Sequence, residues 1–265
     1  LRSEKLQTHI RYLLEKGAMY RVCNGNLLYH GCIPMEPDGS FTRVTMGDKT
    51  YFGKSLMDAC DRLCRTAMYD RRMENTDLLW YLWCGPYSPL NGKDKIATFE
   101  RTFLDDPEAR TERKNPYYDL WNSGETARTI LTEFGVDFER GHIINGHVPV
   151  RKTKGDTPIK ANGKFINIDG GLSKAYQPVT GICGYTLVYS SHELYLAEHQ
   201  PFDPDTAARE SADVLSRTIM IEQYPDRLRV RDTDGGADVE RRIADLKKLL
   251  AAYRSGLVRT PSRME

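Results

Sequence analysis

Two histidines, each beside a glycine at the end of an apolar run, are the residues of this chain best suited to chemistry. They lie in Asn26-Leu27-Leu28-Tyr29-His30-Gly31-Cys32-Ile33-Pro34 and Ile143-Ile144-Asn145-Gly146-His147-Val148-Pro149-Val150. In both, an imidazole follows a buried-strand pattern and a glycine leaves room for close approach of backbone or ligand. α/β folds present metal ligands at a sheet edge in this way. A single histidine after an apolar strand is more often a hydrogen-bonded structural residue. Recurrence of the design in two distant segments points to His30 and His147 sharing one ion.

Between them runs the cationic loop Gly92-Lys93-Asp94-Lys95, with Arg101 nearby. A phosphate monoester carries about two negative charges and needs such cations; the same text also describes a surface loop of alternating charge. Lys160 and Asn162, in Pro158-Ile159-Lys160-Ala161-Asn162-Gly163-Lys164, form a weaker candidate of the same kind. Asp169 ends the apolar run Phe165-Ile166-Asn167-Ile168 ahead of two glycines. It either orients His147, because metal-bound imidazoles donate their second ring nitrogen to a carboxylate or carbonyl, or forms a turn. His9, His142, His192 and His199 have no comparable setting and read as structural.

Longer strings narrow the reading. Leu28 to Pro34, Trp80-Tyr81-Leu82-Trp83-Cys84-Gly85-Pro86-Tyr87-Ser88-Pro89-Leu90, Gly92 to Arg101, Lys114-Asn115-Pro116-Tyr117-Tyr118, His142 to Val150 and Pro158 to Lys164 together resemble class III fructose-1,6-bisphosphatase, a branch of the calcineurin-like metallophosphoesterases. The resemblance runs from about Asn24 to Arg254. It implies an α/β calcineurin-like sandwich of mixed sheets flanked by helices, and two manganese ions. It further implies in-line hydrolysis of the 1-phosphate of a sugar bisphosphate in cytoplasmic gluconeogenesis.

The family's early metal motifs, Asp-x-His, a Gly-Asp pair ahead of Asp-Arg, and Asn-His, are not found. No Asp stands two residues before a His, no Asn precedes one, and Gly47-Asp48 and Gly155-Asp156 sit in polar text. The expectation is therefore a C-terminal part of the enzyme that is inactive alone, its partner being the missing N-terminal part of the same polypeptide. No catalytic residue is assigned within this chain. Pro149 stands where many metallophosphoesterases place a second His. The resemblance thus implies that the second ion is held elsewhere. Two rival readings are a related phosphatase for phosphoprotein or dinucleotide substrates, and a non-enzymatic assembly or regulatory module. Homo-oligomerisation stays open.

Composition agrees with a large globule. The 265 residues are 40% hydrophobic with a formal net charge of +1, which argues against nucleic acid as a partner. No apolar run reaches membrane-spanning length, and the charged opening is unlike a signal peptide. The six cysteines, Cys23, Cys32, Cys60, Cys64, Cys84 and Cys183, contain no Cys-x-x-Cys pair and read as reduced core residues. One domain part is expected over residues 1–258, with a tail over 259–265.

The elements that must position the site follow from periodicity. Helices are expected over 4–15, 54–69, about 78–83, 125–134, 204–217 and 237–254, with the aromatic cluster of the third filling core. Strands are expected over 26–33, 142–144, 164–169, 184–189 and 193–198. Text from 87 to 115 reads mostly as loop, with a short element over 97–104.

Overall fold

The computed structural model describes residues 3–70, 72–171, 173, 176–181, 184–200 and 216–258. The chain is mixed α/β and opens with α1 (Glu4–Lys16), β1 (Tyr20–Cys23) and β2 (Asn26–Tyr29). There follow the hairpin β3 (Val44–Met46) and β4 (Lys49–Tyr51), then α2 (Gly53–Tyr69), α3 (Met73–Cys84), α4 (Thr98–Phe103), α5 (Pro107–Arg110) and α6 (Gly124–Glu133). Next come β5 (Ile143–Asn145), β6 (Ile159–Lys160), β7 (Phe165–Asn167), α7 (Gln177–Thr180), β8 (Tyr185–Tyr189), β9 (Glu193–His199), β10 (Ser216–Gln223) and α8 (Asp234–Arg254). The chain divides into two compact units, Leu1–Leu187 with Leu196–Ile219, and Val188–Tyr195 with Met220–Glu265.

The first unit is organised by a five-stranded sheet of order β1-β2-β5-β7-β6. Its inner strands β2, β5 and β7 are parallel, and Leu27, Ile143 and Phe165 stand in register across them. These three side chains are buried in one cluster with Leu56, Met57 and Cys60 of α2 and Ala127, Ile130 and Leu131 of α6. Apolar residues at helical spacing on α2 and α6 supply the face that covers the sheet. Ser123 caps α6, its side chain accepting from the Thr126 amide. Strands β8, β9 and β10 form a second, three-stranded sheet in the order β10-β9-β8.

Several expectations are corrected. The two tryptophans of α3 do not fill core: Trp80 and Trp83 are each 69% exposed, whereas Leu82 is buried and Tyr81 packs, half-buried, against the core. Six consecutive apolar residues, Leu78 to Trp83, wrap the whole circumference of a helix, so they cannot all face one side. Strands β1, β3, β4, β6 and β10 are additional to those expected. The helix expected over 204–217 falls largely outside the described residues, and its last two positions, Ser216 and Arg217, begin β10. Cys32 and Cys60 are buried, while Cys23, Cys64 and Cys84 are half-buried. Cys183 and the 259–265 tail lie outside the described residues. Among the described residues no helix is long and apolar enough to cross a membrane.

Candidate metal centre

Because β2 and β5 are adjacent and parallel, their C-terminal ends lie side by side, and His30 and His147 follow those ends. The structure brings the two rings together: Nε2 of His30 lies 3.1 Å from Nδ1 of His147, with ring centroids 5.0 Å apart. Two ring nitrogens bound to one ion at about 2.1 Å and roughly a right angle stand about 3 Å apart. The arrangement therefore fits two ligands of one ion. Among the described residues no group of three His, Cys, Asp or Glu side chains converges in this way.

Three features hold it. The Gly146 amide donates to the His30 carbonyl at 3.0 Å, tying the two strand exits to each other. Beneath them, the Tyr117 hydroxyl lies 2.6 Å from that of Tyr29 and accepts from Nδ2 of Asn145 at 2.7 Å. All three residues are buried, so the residue just before His30 and the one just before Gly146 meet on one phenol. Burial pushes the Tyr29 and Tyr117 phenols well above the usual range, which keeps this network neutral. Gly31 is needed because a Cβ there would sit 2.1 Å from the Pro89 carbonyl oxygen, which accepts from the Cys32 amide.

His147 itself has φ 67°, a left-handed conformation that costs a non-glycine residue energy. Its Nε2 lies 3.0 Å from the Asn91 carbonyl oxygen. A carbonyl only accepts, so Nε2 carries the proton and Nδ1 turns its lone pair toward His30. Burial holds the His147 ring below the ordinary histidine range. The Asn91 carbonyl opposes that, and His30 and Lys93 reinforce it.

The orienting partner is thus Asn91 and not Asp169. The Asp169 carboxylate instead accepts from the Gly171 amide at 2.9 Å, although its charge acts on His147 from the same cleft. That cleft measures about 690 Å³ and is lined by Leu28, His30, Ile144, His147, Ile168 and Asp169 among others. Leu28 and Ile144 alternate along their strands with Leu27 and Ile143, so the cleft lies on the sheet face opposite the core.

The expected phosphate contacts are mostly committed elsewhere. Glu112 binds Lys93 at 2.7 Å, Arg101 at 3.3 Å and the Ala97 amide at 2.9 Å. Burial raises the Glu112 pKa, but these three partners together hold it below the usual carboxylate range. Lys95 donates to the Glu108 carbonyl at 2.9 Å. Lys160 pairs with Asp156 at 2.8 Å and lies over the Trp121 ring. Asn162 adopts φ 53° in a tight turn, which an asparagine tolerates well. Of the five, Lys93 is the one whose charge acts on His147.

Sequence reasoning missed Tyr117, Asn145 and Asn91. Tyr117 and Asn145 meet only through the fold, and neither has a local pattern that marks it. Asn91 acts through its backbone carbonyl, which no residue type announces.

A family model described as Firmicute fructose-1,6-bisphosphatase matches residues 1–255. The chain is 50% identical over 265 residues to the class 3 fructose-1,6-bisphosphatase of Clostridium botulinum (strain Loch Maree / Type A3), covering 98% of this chain and 40% of that protein. It is 49% identical over 264 residues to the protein of the same name from Clostridium tetani (strain Massachusetts / E88), covering 97% of this chain and 40% of the relative. The chain therefore spans 40% of the length of these curated relatives. No solved structure matches. By the family match over almost its whole length, the chain belongs to the Firmicute fructose-1,6-bisphosphatase family.

Proposed function

We propose that this chain supplies two imidazoles to one manganese ion of a dinuclear fructose-1,6-bisphosphatase site, the remaining ligands lying in polypeptide outside these 265 residues. The observation that carries the reading is the 3.1 Å approach of His30 Nε2 to His147 Nδ1. The missing third ligand among the described residues and the 40% coverage of the relatives fit the same picture. Manganese held there supplies Lewis-acid polarisation of the phosphoryl group and activation of the attacking water, for release of the 1-phosphate.

The chain's own residues position and neutralise. Asn91 fixes the tautomer that leaves Nδ1 of His147 free, and Tyr117 holds both strand exits. Lys93, steadied by Glu112 beside His147, is the cation of this chain best suited to meet a phosphoryl oxygen. Delivery of two histidines to one edge by adjacent parallel strands supports a calcineurin-like sandwich, of which this sheet forms one part. The relatives' names supply the sugar phosphate, and the setting that goes with this reading is sugar-phosphate metabolism in the cytoplasm.

The experiment is a chimera in which this chain replaces the matching 40% of the Clostridium tetani relative. Phosphate release from fructose 1,6-bisphosphate with manganese is expected to fall more than about 100-fold in His30→Ala and in His147→Ala, since even outer-shell changes cost 10–100-fold. Undiminished turnover in both variants contradicts the reading.

A further inference from the structure

Helix α8 buries a single residue, Gly236, and presents its apolar side chains to solvent. Val239, Ile243, Leu246, Leu250 and Tyr253 are between 39% and 63% exposed. Their spacing alternates four and three residues, the 3.5-residue period of a coiled-coil seam. The helix ends cleanly: Gly256, at φ 73°, donates to the Tyr253 carbonyl, and the Leu257 amide donates to that of Ala252. This is the reciprocal C-terminal cap that glycine permits. Leu257 continues the spacing just past the cap.

The pattern reads the same in both directions. Laid antiparallel on a second copy, Ile243 meets Tyr253 of that copy and Leu246 meets its Leu250, with both pairs repeated across the two-fold axis. Beside the seam, Glu240 faces Arg254 of the second copy twice, Leu249 meets Leu249, and Lys247 meets Lys247 once at the axis. A parallel pairing instead sets Arg242 against Lys247 twice, cation on cation, and Leu249 against Arg254. Seam and charges thus agree on one arrangement.

We infer that α8 is a self-association surface, pairing antiparallel with α8 of a second copy of this chain through an isologous interface. The inference stands apart from the phosphatase reading. With fewer than three heptads the seam gives a weak, concentration-dependent dimer.

Sedimentation velocity of the 265-residue chain across a concentration series tests this. The expected result is a monomer–dimer equilibrium that Leu246→Glu abolishes; Leu246 is 63% exposed, so the fold tolerates the change. Glu240→Lys and Arg254→Glu should each weaken the dimer several-fold, because the pair occurs twice, and the double reversal should restore it. Three results overturn the inference: a monomer at every concentration, self-association that Leu246→Glu leaves unchanged, or a double reversal that fails to restore what the single ones lose.

Discussion

The Asn91 carbonyl oxygen lies 3.0 Å from Nε2 of His147 and thereby sets which nitrogen of that ring faces His30. The whole loop from Ser88 to Lys93 supports this contact. Ser88 is fully buried and bonds through its hydroxyl to the Leu82 carbonyl, and Nδ2 of Asn91 donates to the Lys93 carbonyl at 3.1 Å. A backbone group cannot be deleted by substitution. The consequences are therefore sought in the side chains that fix the geometry.

Tyr117→Phe removes the phenol that joins Tyr29 and Asn145. It leaves a buried hydroxyl and a buried amide without their partner. We expect a loss of about 1–3 kcal/mol in urea unfolding at an unchanged slope. A variant as stable as the parent shows that the clamp is not needed.

At His147 the backbone and the ring make opposite demands. His147→Gly relieves the left-handed conformation, whereas His147→Ala keeps that strain, so the glycine variant should be about 1 kcal/mol the more stable of the two. Bound manganese should lose the same one histidine nitrogen in both. Equal stabilities in chemical denaturation contradict a strained residue here.

Glu112 makes the stability pH-dependent on the acid side. Its folded pKa is lowered, so the stabilisation is complete above the unfolded value of about 4.3 and is lost as pH falls through the lower folded value. Denaturation midpoints should hold from neutral pH to about pH 5 and then drop. In Glu112→Gln this site's share of the drop should vanish, with about 1–3 kcal/mol lost at neutral pH. An unaltered acid profile in that variant removes Glu112 from the account.

How much of this was legible in the sequence depends on the range of the interaction. Helices α2 and α6 announce themselves by apolar spacing, and the strands feeding His30 and His147 by short apolar runs ahead of glycine. Strand β1 hides because Tyr20-Arg21-Val22-Cys23 lies at a sheet edge and lacks clean alternation. The Thr218-Ile219-Met220-Ile221 run of β10 carries a β-branched signal, but so short an apolar run is not told apart by periodicity from the helical spacing that precedes it. Glu112 captures Lys93 and Arg101 from 19 and 11 residues away, so the loop looked free to bind phosphate. Tyr117 reaches Tyr29 across 88 residues, a contact with no local signature.

Alone, the 265-residue chain should not hydrolyse fructose 1,6-bisphosphate. Two neutral imidazoles are a poor site for a hard ion that prefers carboxylate and water oxygens, and no third ligand joins them among the described residues. Robust phosphate release with excess manganese, abolished by His30→Ala, contradicts this expectation.

The most direct measurement is pulsed electron paramagnetic resonance of manganese bound to the chain labelled with 15N-histidine. The expected result is one weakly held ion carrying two histidine nitrogens, reduced to one nitrogen in His30→Ala and one in His147→Ala. Manganese whose spectrum shows no histidine nitrogen, or keeps both in either variant, contradicts a shared ion.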